Sequence, residues 1–116
     1  MGRFAVLKSN TEFRTLYYRG RALVHPAMIT YVRKSRRRDE NGKLLIRMGI
    51  TTGKKIGKAV SRSRCRRLIR AAYGEVFPKL QGGWDIVFVA RPRMLKMKST
   101  ELVPVMQKQF EEAGLL

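Results

Sequence analysis

Between Ala59 and Phe77 the apolar residues Cys65, Leu68, Ile69, Ala72 and Val76 return at spacings of three and four, while Arg62, Ser63, Arg66, Arg67 and Arg70 are set roughly opposite them. At about 100° per residue, this pattern predicts one helix with an apolar stripe and a basic far side. Such a helix needs a second layer to bury its stripe, and leaves four guanidinium groups facing outward. Pro78 and the pair Gly82-Gly83 close the helical region. The run Asp85 to Ala90 then reads as a short strand inside a sheet, because it is nearly all apolar, and Pro92 stops it.

The remaining elements are set by local signals. Ser9 with Glu12 three residues later is a capping box, so a helix over Asn10 to Arg19 is expected, with Phe13, Leu16 and Tyr17 on one face and Gly20 as a left-handed terminator. Strands come next. Met28 to Val32 is rich in branched and aromatic residues, with Ile29 and Tyr31 on one face, and Pro26 confines any preceding strand to an edge. Arg33 to Lys43 has no apolar residue and contains Asn41-Gly42, which reads as an exposed flexible connection. Leu44 to Thr52 reads as a strand, followed by a basic turn bracketed by Gly53 and Gly57. A final helix carries Leu102, Val103, Met106, Phe110 and Ala113 on one face, with Thr100 as N-cap, Pro104 near its start and Gly114 past its end. No repeat or linker interrupts the order. The whole chain, 1–116, reads as one α+β domain in the order α-β-β-β-α-β-α, a two-layer sandwich of helices on a sheet.

Charge narrows the function. The 116 residues hold 26 Lys and Arg against 8 Asp and Glu, a net charge of +18, and the window Asn41 to Gly74 contains no carboxylate at all. A domain this basic repels itself unless a polyanion binds it. A nucleic acid suits that need, since each cation that neutralises a phosphate releases condensed counterions without any sequence readout. A membrane surface fits less well, because the sole tryptophan, Trp84, lies outside the basic window. The longest uninterrupted apolar stretch, Ile86 to Ala90, is far below the roughly 20 residues of a spanning helix, so no membrane partner is expected.

The same residues speak against a self-sufficient enzyme. One histidine and scattered acids give no paired carboxylates, no nucleophile with a base, and no Cys/His cluster for a metal. His25, before Pro26, reads as a surface or hydrogen-bonded residue. The lone cysteine, Cys65, lies in phase with the apolar stripe, which predicts a buried thiol in a reducing interior. GKKIGK at Gly53 to Lys58 does not meet the spacing of a phosphate-binding P-loop.

Lys54 to Arg70 reads KKIGKAVSRSRCRRLIR and resembles the signature KKxGxAVxRNxxKRxxR of the bacterial ribonuclease P protein subunit family. NTEFRTLYYRG, IRMGITTGKK and WDIVFVARP resemble that family's first helix, third strand and fourth strand. The resemblance implies a central mixed sheet with a left-handed β-α-β crossover. It also implies a subunit that binds a catalytic RNA through Lys54, Lys55, Lys58, Arg62, Ser63, Arg64, Arg66, Arg67 and Arg70. Ser63 stands where the family usually has Asn, and Lys58 replaces a frequent Asn. Phe13, Tyr17 and Tyr31 match aromatic positions of a cleft for the single-stranded 5′ leader of precursor tRNA. The activity implied by the resemblance is that of an endoribonuclease ribonucleoprotein whose chemistry resides in the RNA. The chain would then have no catalytic residue or bound metal of its own, the magnesium being required by the RNA-containing holoenzyme. The resemblance further implies a cytoplasmic location and no DNA partner. Composition alone would equally allow a structural RNA-binding protein such as a ribosomal component.

Overall fold

The computed structural model describes residues 4–116. Its elements are β1 (Ala5–Val6), α1 (Asn10–Arg19), β2 (Arg21–Val24), β3 (Met28–Lys34), β4 (Ile46–Thr51), α2 (Ala59–Val76), β5 (Trp84–Ala90) and α3 (Ser99–Ala113), with 3₁₀ turns at Lys54–Ile56, Phe77–Lys79 and Pro92–Lys96. The expected α-β-β-β-α-β-α order is present, preceded by the two-residue β1. The strands form one mixed sheet in the order β1-β4-β5-β3-β2. β1 and β5 run parallel to β4, while β3 runs antiparallel to both β5 and β2.

Side-chain alternation along β5 divides the interior. Ile86, Phe88 and Ala90 join the large core against α2 and α3, whereas Val87 and Val89 turn to the other face and pack with Leu7, Phe13, Leu16 and Tyr31 beneath α1. The sandwich of sheet against α2 and α3 therefore holds most of the core, and α1 covers part of the opposite face. Ile69, Phe88, Met106 and Phe110 are fully buried. Each such side chain contributes roughly 1.5–3 kcal/mol of transfer free energy against the entropy of ordering the chain. One polar contact crosses this core: Gln109 accepts from the Thr30 hydroxyl at 2.6 Å and donates to the Leu23 carbonyl at 2.9 Å, pinning α3 to β2 and β3.

Several local expectations are corrected. Gly20 is extended, with φ −78°, not left-handed. Its lack of a side chain matters through proximity, since a Cβ there would lie 2.5 Å from the Leu16 carbonyl oxygen. Thr100 is not the N-cap of α3. Lys98 holds that position, and the Glu101 carboxylate accepts its backbone N–H at 2.9 Å, so Thr100 lies within the first turn. At the other end Gly114, at φ 90°, caps the helix as expected. Arg33 and Lys34 are the end of β3, paired with Asp85 and Trp84, and the rest of the expected connection is an ordered local hairpin, because Arg38 bridges Leu44 and the Asp39 carboxylate accepts from Asn41 N at 2.9 Å and Lys43 N at 3.0 Å. Gly42, at φ 79°, takes the turn position that Asn41-Gly42 suggests.

Candidate nucleic-acid interface

The basic surface begins where β4 ends. Lys54 and Lys55 are exposed on the turn after Thr51, which is anchored by buried Ile56, and Gly57 at φ 123° redirects the chain into α2. Lys58 is the N-cap of α2 and contributes no side-chain cap. No acid occupies the first helical turn, so the positive end of the helix dipole and the lysines reinforce one another.

Within α2 the basic residues are distributed differently from the simple two-sided pattern. Arg64, Arg67 and Arg70 are exposed, whereas Arg62, Ser63 and Arg66 are partly buried. The reason is helical phase. Arg62 precedes buried Cys65 by three residues and Arg66 precedes buried Ile69 by three, so both arginines lie on the flank of the stripe. Arg66 donates to Thr52 Oγ1 at 2.6 Å, across to the end of β4. On the other flank Arg64 donates to the Met97 carbonyl at 3.4 Å, beside the start of α3. Cys65 is fully buried, and burial pushes its thiol up from the ordinary value, which suits packing and not reactivity.

A second feature adjoins this surface. Asn10, Phe13, Arg14 and Tyr17 of α1 face Ile50, Thr51 and Thr52 across a groove of about 550 Å³. Tyr17 is 36% exposed and shares a 2.7 Å hydrogen bond with the Thr51 hydroxyl. Tyr31 does not line the groove directly; it meets Tyr17 edge to face, with ring centroids 5.1 Å apart. Phe13 lies over Gly49, where a Cβ would come within 2.5 Å of its Cζ, so the glycine admits the ring to the sheet surface. Phe13 is thus half core and half groove wall. Arg14, Thr51 and Thr52 join the groove without having been expected from the sequence. Arg14 directly follows Phe13 and lies one turn before Tyr17 on α1, but the threonines carry no signal until the strand end is placed against α1.

An ion cluster holds the groove's two walls in register. Arg47 of β4 grips Asp85 of β5 with Nε to Oδ1 at 3.0 Å and Nη2 to Oδ2 at 2.9 Å, and also donates to Glu12 of α1. The Lys8 backbone N–H and the Arg47 guanidinium together hold the Glu12 carboxyl down to about 2, while Asp85 raises Arg47 above its usual value. Glu12 completes the capping box with Ser9 as well. His25 Nδ1 accepts from Ala27 N at 3.0 Å and so shapes the β2–β3 turn. Among the described residues no three His, Cys, Asp or Glu side chains cluster as metal ligands, and no helix is long and apolar enough to cross a membrane.

A family model described as Ribonuclease P matches residues 1–114. The chain belongs to the ribonuclease P protein family. The ribonuclease P protein component of Symbiobacterium thermophilum is 36% identical over 110 residues, covering 95% of this chain and 91% of that one. That of Clostridium botulinum is 34% identical over 110 residues, covering 94% and 88%. The ribonuclease P protein of Staphylococcus aureus has the same fold, with a TM-score of 0.77 at 21% identity over 97% of this chain and 98% of that one. The ribonuclease P protein of Thermotoga maritima gives 0.73 at 20% identity over 89% and 92%. As a ribonuclease P protein component, the chain is a subunit of an endoribonuclease ribonucleoprotein, and its partner is the ribonuclease P RNA.

Proposed function

We propose that the two surfaces divide the subunit's work. Lys54, Lys55 and Lys58 with Arg62, Ser63, Arg64, Arg66, Arg67 and Arg70 bind the catalytic RNA, and the groove of Phe13 and Tyr17, backed by Tyr31, receives the 5′ leader of precursor tRNA. The observation that carries this reading is the contiguity of a rigid basic helix and an aromatic-walled groove, joined through Thr52, which lines the groove and accepts from Arg66. Arginine forks on one helix fix orientation as well as affinity on phosphate oxygens. A ring such as Tyr17 stacks on unpaired bases at about 1–3 kcal/mol each with little sequence preference, which suits leaders of varied sequence.

The cutting chemistry is then the RNA's. No carboxylate lines the groove, and Glu12 and Asp85 beside it in the ion cluster are both engaged by Arg47, so no step is assigned to a metal held by this chain. Its residues bind and orient the leader and screen repulsion between two polyanions. Action on precursor tRNA implies a cytoplasmic location. The test is cleavage of 5′-labelled precursor tRNA at low magnesium by protein alone, cognate catalytic RNA alone, and both. Efficient cutting at the mature 5′ end by the combination only is expected; unchanged RNA activity with bound protein overturns the proposal.

A further inference from the structure

Leu16 fixes the buried side of α1, and helical phase then orders what its other sides present. Phe13 and Tyr17 face the groove and Arg14 stands at its rim. Tyr18 follows Arg14 by four residues, so the two share the crest of the helix, turned away from the sheet. At 86% exposure Tyr18 is the one aromatic side chain among the described residues that the fold leaves almost wholly in water.

Packing does not explain that position. Among the described residues the Tyr18 ring pairs with no other aromatic and has no cation over it, whereas its neighbour Tyr17 meets Tyr31, so both faces of the Tyr18 ring are open. Helical side chains lean toward the N-terminus, which sets this ring over the turn that carries Arg14. Arg14 is exposed and lies outside the ion pairs of Arg47 with Glu12 and Asp85. Glu12, the single acid of α1, is turned to Arg47, so no carboxylate of the helix competes for the Arg14 guanidinium. A free guanidinium beside an open ring matches the two parts of a single-stranded nucleotide, phosphate and base.

Continuity with the groove identifies the strand. Thr52 links one groove wall to Arg66 of α2, which places the catalytic RNA on that side, while α1 is the opposite wall. A leader that is fixed at its cleavage site by the catalytic RNA and is longer than the groove therefore leaves over the crest of α1.

We infer that Arg14 and Tyr18 form an outer subsite for the leader of precursor tRNA, which holds nucleotides farther from the cleavage site than those in the groove, Arg14 on a phosphate and Tyr18 stacked on an unpaired base. The inference rests on the proposed role of the groove and extends it into a path. The experiment measures, in the assembled holoenzyme, the binding of precursor tRNAs whose leaders are shortened stepwise from the 5′ end. It compares the unsubstituted chain with Tyr18→Ala, Tyr18→Phe, Arg14→Ala and Tyr17→Ala, and melting curves verify that each variant folds. For Tyr18→Ala the expected result is a loss of about fivefold or more on the longest leaders, at unchanged salt slope, that vanishes as the leader shortens. Tyr18→Phe should bind as the unsubstituted chain does, and Arg14→Ala should flatten the salt slope on long leaders by up to about 0.7. Unchanged affinity of Tyr18→Ala or Arg14→Ala at every length overturns the inference. So does a Tyr18→Ala loss of equal size at every length, a loss of catalytic RNA binding itself, or a Tyr18→Phe loss as large as that of Tyr18→Ala. If Tyr17→Ala also binds every leader normally, the failure belongs to the proposed function; if Tyr17→Ala alone loses leader affinity, it belongs to the outer subsite.

Discussion

Arg66 and Thr52 are joined by a 2.6 Å hydrogen bond that connects the basic helix to the wall of the aromatic groove. It is partly shielded from water, and the charged donor makes it stronger than a neutral bond. Thr52→Val keeps the shape and removes the acceptor. The expected loss is about 1 kcal/mol of stability, read from the urea midpoint at unchanged slope. An unchanged midpoint means that water replaces Thr52 at no cost.

Arg62→Ala together with Arg67→Ala tests whether the helix grips phosphates. Association with the catalytic RNA should weaken, and the dependence of log affinity on log salt should flatten by up to about 0.9 for each phosphate left without its arginine. Weaker binding at an unchanged slope assigns the effect to packing around half-buried Arg62.

The groove aromatics separate by how deeply they are buried. Phe13 packs on Gly49 and against the cluster of Leu7, Leu16 and Val87, so Phe13→Ala should cost both stability and leader affinity. Tyr17 is more exposed, and Tyr17→Ala should leave the fold nearly as stable while weakening leader-bearing precursor more than mature tRNA in the assembled holoenzyme. Tyr17→Phe loses the hydroxyl shared with Thr51 but keeps the stacking face, and should retain most of that preference. Equal losses for precursor and mature tRNA would return Tyr17 to a packing role.

Glu12 makes stability depend on pH in a definite direction. Its carboxyl is held at about 2 against an ordinary 4.5, so its contribution is complete above about 4.5 and disappears as pH falls toward 2. Glu12→Gln should lower the melting temperature at pH 7 and flatten its decline over that acid range. Parallel melting curves for the two proteins from about pH 5 down to about 2.5 would show that neither the Lys8 N–H bond nor the Arg47 pairing holds the Glu12 carboxylate in solution.

Much of the scaffold was legible because short-range chemistry dictated it. The Ser9–Glu12 box set the start of α1, the stripe from Cys65 to Val76 set α2, and the apolar run at Asp85 to Ala90 set the strand at the centre of the sheet. β1 was not legible, since two residues carry no periodicity and pair only because β4 offers an edge. The hairpin within Arg33 to Lys43 read as flexible because its order comes from one aspartate bonded to backbone groups, which polar composition does not reveal.

The candidate site divides in the same way. Sequence by itself determined that a basic helix exists, that Cys65 is buried within it, and that Phe13 and Tyr17 share a face, because these are consequences of helical spacing and charge order along one segment. Only the tertiary structure decided that Arg66 turns to Thr52 and Arg64 to Met97, that Tyr31 meets Tyr17, and that Arg47 locks α1 to the sheet. Those contacts join residues far apart in the chain. Which pairs meet is set by strand register and helix packing, terms that no single segment contains.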